Sequence, residues 1–252
     1  MNKTIKKNII LTGSEGIIGK SLVSHLEKKN MNVFKIDIKK KDNKKNYFIC
    51  DITKEFQVKK CIKDITKKND INVLINNASF NPKFSNRSYK FSNYKLTDWK
   101  NNLEVDLIGS FLMSKYICKN FEKNNSGAIL NISSVYALQG PDQEIYNKRN
   151  LKFHGFKPIE YSVAKSGIIG FTKALAAFYK KTNIRVICLV FGGIETKDMS
   201  KNFIKNYKSK TISNRMGRQD EYNEIISFFI SDKAKYVNGS CIVVDGGLTS
   251  II

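Results

Sequence analysis

The stretch Asn8 to Gly19 reads NIILTGSEGIIG, and the interpretation of the whole chain turns on it. A short apolar run, Asn8 to Leu11, suits a buried strand. Three glycines, Gly13, Gly16 and Gly19, follow at once, and from Ile18 to Lys28 the residues Ile18, Leu22 and Leu26 recur at helical spacing. In a strand, glycine turn and helix of this kind, the glycines let the chain turn sharply and bring bare backbone against a pyrophosphate. The helix N-terminus then offers its unpaired N–H groups to the phosphate charge. Gly13, Ser14, Gly16, Ile18 and Gly19 are therefore candidates for a dinucleotide cradle. A glycine loop alone is a weak sign, but the next strand strengthens it. Asp37 closes the run Val33 to Ile36 and lies 18 residues beyond Gly19, close to the ~20-residue spacing of a carboxylate that binds adenosine ribose hydroxyls.

Outward from this loop, short β-branched runs alternate with longer helical periods, the pattern of repeated βα units around a parallel sheet. The expected strands are Asn8 to Leu11, Val33 to Ile36, Tyr47 to Cys50, Val73 to Ile75, Ala128 to Ile132, Arg185 to Val190 and Cys241 to Val244. The expected helices are Ile18 to Lys28, Gln57 to Lys68, Trp99 to Asn120, Tyr161 to Lys180 and Glu221 to Ser231. The fold class that follows is α/β: one doubly wound Rossmann domain, residues 1–252, with a seven-stranded parallel sheet and helices on both faces. Two segments break the pattern. Phe80 to Thr97 and Gln139 to Ile159 both follow expected strands, where ligand crevices of open sheets lie, and are candidate substrate walls.

Composition narrows the function classes. The 252 residues carry 44 Lys and Arg against 22 Asp and Glu, a formal charge of +22. The lysines are scattered along the whole chain rather than gathered in one stripe, so the charge reads as compositional bias and no specific nucleic-acid partner is expected. No run approaches the ~20 apolar residues of a membrane span, and the N-terminus lacks a signal-peptide pattern. Five cysteines form no CxxC pair, and two histidines are available to join them, so reduced thiols, no metal site and a cytoplasmic location are expected.

The chemistry is read from Tyr161 and Lys165, four residues apart and so on one helix face. A phenol is a poor acid or base near neutrality, and a fixed ammonium beside it stabilises the phenolate and brings its pKa toward the working range. The pair opens a helix after the fifth strand, whose end carries Ser133 and Ser134. Asp37 and Glu15 would repel a 2′-phosphate, which favours NAD over NADP, while Lys39 and Lys40 weigh the other way. Two roles stand for Asp51: acceptor for the adenine amino group, with Ile52 beside it, or N-cap of the following helix.

Taken together, these motifs resemble the short-chain dehydrogenase/reductase family, with a match from about Asn8 to Gly247. Thr12 to Gly19 resembles its cofactor loop, Asn76-Asn77-Ala78 its Asn-Asn-Ala motif, and Ser134 with Tyr161 and Lys165 its catalytic set. Arg185 to Thr196 and Val244-Asp245-Gly246-Gly247 resemble further family segments. The resemblance implies reversible interconversion of a carbonyl and a secondary alcohol. Tyr161 would be the acid or base, Lys165 would lower its pKa and bind the nicotinamide ribose, and Ser134 would hydrogen-bond the substrate oxygen, with Ser133 structural. Asn77 and Ala78 would line the cofactor, and Ile194 would meet the carboxamide through its backbone. A homo-oligomer, dimer or tetramer, is also implied, with the Trp99 and Tyr161 helices at one interface and Leu248, Ile251 and Ile252 at another or frayed.

Departures from the pattern are specific. Ile17 stands where a middle glycine is common, Ser79 follows Asn-Asn-Ala in place of glycine, and Phe191 replaces a proline. Asp106 occupies the place of the family's catalytic asparagine, where a carboxylate oxygen could hold a relay water. Ser134 and Tyr161 are 27 residues apart, longer by roughly a dozen than the family pattern implies. The inserted residues include Asp142, Gln143, Glu144, Tyr146, Lys148, Arg149 and His154, a polar set that suits a small polar, sugar or sugar-nucleotide substrate and resembles members of bacterial surface-sugar and nonulosonic acid pathways. A 3-oxoacyl-carrier-protein reductase, or a cofactor-binding homologue with little turnover, are the alternatives.

Overall fold

The computed structural model describes residues 7–39, 45–80, 91–146 and 156–251. The first unit is as expected: β1 (Asn8–Thr12) runs into α1 (Ile17–Lys28), and β2 (Asn32–Asp37) returns beside β1 with Ile10 paired to Phe34. There follow β3 (Tyr47–Ile49), α2 (Glu55–Thr66), β4 (Val73–Asn76), α3 (Leu96–Leu103), α4 (Gly109–Asn124), β5 (Gly127–Ser134), α5 (Ile159–Phe178), β6 (Ile184–Phe191), α6 (Lys201–Lys208), α7 (Glu221–Phe229) and β7 (Cys241–Val244). All seven strands are parallel, in the order β3-β2-β1-β4-β5-β6-β7. The order reverses between β1 and β4, the switch point at which open sheets bind their ligands.

Alternation along the strands sends neighbouring side chains to opposite faces. Ile9 and Leu11 pack with Leu22, Leu26, Tyr222 and Ile226 of α1 and α7. Ile10 packs on the other face with Val58, Ile62, Met113, Ile117 and Phe121 of α2 and α4. Both faces are thus covered, as the near-continuous apolar strands require.

Boundaries differ from expectation where tertiary contacts extend an element. β5 continues through Ser133 and Ser134 because Val190 and Phe191 of β6 pair with them, although serines carry little strand preference. The helix expected from Tyr161 begins at Ile159, just after Pro158, which fixes the chain entering it and supplies no N–H that would need a partner. The expected Trp99 to Asn120 helix is longer and interrupted. α3 and α4 are joined without a break by a π-helical turn at Glu104–Ile108, a local widening of the helix. α6 was absent from the sequence reading, although Ser200 accepts the Phe203 N–H at 3.2 Å as an N-cap. Leu248 buries in its own chain's core beside Tyr207 and Met216.

A buried polar chain fixes the layers relative to one another. Asn76 Nδ2 donates to Asn131 Oδ1 (2.8 Å), Asn131 Nδ2 donates to Thr172 Oγ1 (2.9 Å), and Ser133 Oγ donates to the Lys165 carbonyl (2.8 Å). This ties β4, β5 and α5 together at the carboxyl end of the sheet. Asn131→Ala should remove both bonds at once, leaving Asn76 Nδ2 its longer bond to Ser114 Oγ (3.2 Å) and Thr172 Oγ1 its bond to the Ile168 carbonyl (2.8 Å), and lower stability by about 1–3 kcal/mol. Chemical denaturation of the two proteins measures it, and equal midpoints would mean that the network adds nothing.

Candidate active site

The cofactor loop is held by the switch point itself. Thr12 Oγ1 accepts the backbone N–H groups of Asn77 and Ala78, both at 3.1 Å, and Asn77 Nδ2 donates to the carbonyls of Thr12 (3.0 Å) and Gly13 (3.1 Å). The Asn77 side chain is therefore engaged in stapling two loops together, and what it and Ala78 can offer a cofactor is a wall. Gly13 has φ +65°, and a Cβ there would stand 2.7 Å from Ala78 Cα, so the approach of the two loops requires glycine. α1 opens at Gly16 with no side-chain cap and no acidic residue in its first turn. Its first N–H groups are left for an anion. Ser14 Oγ is buried and has no hydrogen-bond partner among the described residues, and it belongs to the same loop. Uncapped helix start, bare glycine backbone and a buried hydroxyl together fit a pyrophosphate.

The adenosine end is acidic. Asp37 Oδ2 accepts the Glu15 N–H at 2.9 Å and Oδ1 accepts the Lys39 N–H at 3.1 Å, so the carboxylate borders the loop it was expected to serve. Burial, with Asp37 and Glu15 adding to it, pushes the nearby Tyr47 phenol up to about 12. Lys20 stands 3.8 Å from Glu15 and offsets part of its charge, while Lys40 lies outside the described residues. Asp51 is not the N-cap of α2, whose cap is Lys54. Its Oδ1 closes the turn before the helix by accepting from Thr53 N (3.0 Å) and Thr53 Oγ1 (2.8 Å). Ile52 is buried and crosses Gly109, where an added Cβ would lie 2.6 Å from Ile52 Cδ1. Ile194 bridges to Gly217 through bonds made by the flanking Gly193 carbonyl and Glu195 N–H, which turns its own amide the other way.

At the sheet's carboxyl edge, Ser134 ends β5, and Tyr161 and Lys165 project from the first turns of α5. Ser134 Oγ accepts the Tyr136 N–H at 3.3 Å, and its hydroxyl stands near enough to the phenol to favour ionisation. Lys165 is buried and its Nζ lies 2.7 Å from Asp106 Oδ1, with a further bond to the Ile132 carbonyl at 3.2 Å. Asp106, in the π turn, also accepts from Ser79 Oγ (2.6 Å, Oδ1) and the Phe80 N–H (2.8 Å, Oδ2). Both of its oxygens are therefore engaged by protein, Oδ1 by Lys165 and Ser79 and Oδ2 by the Phe80 N–H. Ser79 and Asp106, two departures from the family pattern, prove to be partners.

This pairing alters the electrostatics. Burial opposes the Lys165 ammonium, but Asp106, with Tyr161, more than offsets it and holds the group above its ordinary value. Burial raises the Tyr161 phenol. Lys165 and the Ser134 hydroxyl pull it down, Asp106 pushes it up, and the net direction is upward. The direction is thus opposite to the expected depression, chiefly because burial disfavours the phenolate, while Asp106 offsets part of the pull of Lys165.

The expected substrate walls are partly visible. Residues 81–90 and 147–155, including Lys148, Arg149 and His154, lie outside the described residues. Asp142 pairs with Lys210 at 3.1 Å, and Tyr146, with its hydroxyl 2.7 Å from that of Tyr136, packs on Phe203. Tyr94 and Phe156 bring the two segments together with ring centroids 6.0 Å apart. Lys157, which the sequence reading passed over, lies with its Nζ 3.5 Å from the centroid of the Tyr161 ring. A single lysine in so basic a chain carries no signal of its own.

Comparison with known proteins agrees with this architecture. The family model described as Enoyl-(Acyl carrier protein) reductase matches residues 17–249. A 3-oxoacyl-acyl-carrier-protein reductase of Buchnera aphidicola subsp. Baizongia pistaciae is 32% identical over 261 aligned residues, covering 98% of each chain. Glucose 1-dehydrogenase 2 of Bacillus subtilis is 29% identical, over 96% of this chain and 95% of its own. A solved short chain dehydrogenase of Leptospira borgpetersenii with bound NAD+ superposes with TM-score 0.86 at 31% identity, covering 97% of this chain and 93% of that one.

The electrostatic balance is open to direct measurement. Asp106→Asn keeps an acceptor beside Lys165 and removes the negative charge, so Tyr161 should ionise about one pH unit lower, a tenfold larger acid constant. Carbon-13 labelling of the tyrosine Cζ atoms, with the Tyr161 signal assigned by its loss in Tyr161→Phe, reads this by NMR. An unmoved titration would show that the Asp106 charge does not reach the phenol.

Proposed function

The chain belongs to the short-chain dehydrogenase/reductase family and is a nicotinamide-dependent oxidoreductase, and from that premise we propose that it interconverts a carbonyl and a secondary alcohol on a small polar substrate, with Tyr161, Ser134 and Lys165 at the reacting centre and NAD as the favoured cofactor. The observation that carries the reading is the convergence of these three side chains beyond the carboxyl ends of the central strands, beside a loop fitted to a pyrophosphate.

When bound, the nicotinamide supplies or accepts the hydride. The residues do the rest. In reduction, Tyr161 donates its proton to the carbonyl oxygen while Ser134 donates a hydrogen bond to the same oxygen as charge develops there. Lys165, anchored by Asp106 and the Ile132 carbonyl, stabilises the phenolate left behind and reaches the ribose. A phenol held above its ordinary value is a proton donor at neutral pH. Gly13, Ser14, Gly16, Ile18 and Gly19 would cradle the pyrophosphate, Asp37 the adenosine ribose, Asp51 and Ile52 the adenine, and Ala78 and Ile194 the nicotinamide side. Asp37 and Glu15 support NAD over NADP by repulsion of a 2′-phosphate.

A sugar or sugar-nucleotide substrate is supported by the polar residues between Ser134 and Tyr161, and the similarity to a glucose dehydrogenase is consistent with it. A second reading, reduction of a 3-oxoacyl thioester on an acyl carrier protein, is favoured by the similarity to the Buchnera reductase and by the basic composition, which suits an acidic carrier. We further propose a cytoplasmic homo-oligomer built through α4 and α5, where Phe111, Val163 and Phe178 stand exposed; among the described residues no helix is long and apolar enough to cross a membrane.

Titration with NADH and NADPH, followed by nicotinamide fluorescence, tests the cofactor assignment. NADH should bind at least tenfold more tightly, and Asp37→Ala should shrink the difference; absence of binding by either nucleotide would overturn the reading. Tyr161→Phe should keep NADH binding and lower turnover by about 10²- to 10⁴-fold, since the ring stays and the proton donor goes. Unchanged turnover would remove Tyr161 from the mechanism.

A further inference from the structure

Ser79 stands where the cofactor loop and the reacting centre meet. One residue before it, the Ala78 N–H donates to Thr12 Oγ1, which ties the segment after β4 to the glycine loop. Its own hydroxyl donates to Asp106 Oδ1 at 2.6 Å, and the next residue, Phe80, donates its N–H to Asp106 Oδ2 at 2.8 Å. Asn102, one helical turn before Asp106, holds the same segment by donating Nδ2 to the Phe80 carbonyl at 2.9 Å. Ser79 and Phe80 are thus pinned to α3 and the π turn that follows it.

At Asp106 three donors converge on two oxygens. Lys165 Nζ lies 2.7 Å from Oδ1, the same atom that takes the Ser79 proton, and Asp106 is 1% exposed. A carboxylate meets this set, whereas an amide would set its NH2 against the Phe80 N–H or against the Lys165 ammonium. With Ser79 on Oδ1 and Phe80 on Oδ2, the carboxylate cannot turn without losing a charge-assisted bond. Lys165 is held in turn. An ammonium has three N–H donors at fixed angles, and two are taken, by Asp106 Oδ1 and by the Ile132 carbonyl at 3.2 Å. The direction of the third follows from those two. We infer that Ser79 is a positioning residue for the reaction: by fixing the Asp106 carboxylate, its hydroxyl aims the remaining N–H of Lys165 at the cofactor ribose. The inference rests on the reading above in which Lys165 reaches that ribose.

The same hydroxyl bears on the phenol. The groups that face Tyr161 come from several elements: Lys165 on α5 and Lys157 just before it, Asp106 on the π turn, Ser134 at the end of β5, Tyr136 and Tyr146 between β5 and α5, and Tyr207 on α6. Lys165 also lies near Cys188 of β6. Ser79 reaches the phenol through one of these groups, Asp106, whose negative charge pushes Tyr161 up. A hydroxyl proton held on that carboxylate lessens the charge the phenol meets, so its removal moves Tyr161 further up.

The test is a double-mutant cycle on Ser79 and Asp106 with two readouts, NADH binding followed by nicotinamide fluorescence and the Tyr161 titration followed by its carbon-13 Cζ signal. Ser79→Ala should weaken NADH binding by about three- to tenfold and raise the Tyr161 midpoint by about half a pH unit. Ser79→Thr should restore both, since it keeps the hydroxyl and its methyl has room at an exposed position. In the Asp106→Asn protein, Ser79→Ala should change binding by less than about twofold and leave the midpoint in place, because the group through which Ser79 acts has gone. Equal losses in both backgrounds make Ser79 a structural residue independent of Asp106 and overturn the inference. Unaltered binding in Ser79→Ala, or a Ser79→Thr protein that behaves like Ser79→Ala, overturns it as well. Should Ser79→Ala not fold, Ser79→Cys, whose thiol is a weak donor, takes its place in the same cycle. The functional reading fails separately: a protein that binds neither NADH nor NADPH fails it, and the Tyr161 titration across the cycle still decides whether Ser79 acts through Asp106.

Discussion

The ion pair between Lys165 and Asp106 is the contact on which the site depends. It joins the helix that carries the reactive phenol to the π turn between α3 and α4, and through Ser79 and Phe80 it reaches the segment after β4. Both partners are buried, so the pair is tolerable because each charge has the other and further hydrogen bonds besides. The π turn gives Asp106 its position, and this is a case of a helix irregularity sitting where a functional side chain is needed.

That pair also bears on the protonic character of the centre. Lys165 draws the phenol toward ionisation, but burial, with the Asp106 carboxylate adding to it, outweighs that pull and holds the phenol above its ordinary value. Lys157 Nζ lies on the face of the same ring, 3.5 Å from its centroid. The acid, its two neighbouring cations and one anion act as a single electrostatic unit, and no member's role can be read without the other three.

The scaffold supplies the rigidity this unit needs. The buried chain from Asn76 through Asn131 to Thr172, and the Ser133 bond to the Lys165 carbonyl, lock α5 on the sheet. The bonds from Asn77 and Thr12 lock the cofactor loop to the adjacent strand end. Reacting groups and cofactor loop are therefore both referenced to β4: the loop leaves β1 and is tied to the end of β4, and α5 is tied to β4 through β5.

The sequence by itself determined what depends on short-range pattern. The strand, glycine loop and helix from Asn8 to Lys28, the acidic end of β2, and the pairing of Tyr161 with Lys165 are each written in a few consecutive residues, because turn geometry and helical spacing act locally. It missed α6, whose cap and apolar spacing at Ser200, Phe203, Ile204 and Tyr207 were present to be read, and it could not place the ends of β5, which follow from pairing with β6. Tertiary structure alone decided the electrostatics. Ser79 with Asp106, Asp106 with Lys165, and Lys157 over Tyr161 are contacts between residues on different elements, and a charge acts through space on whatever the fold brings within a few ångströms. Sequence fixes which charges exist; only packing fixes which of them cancel.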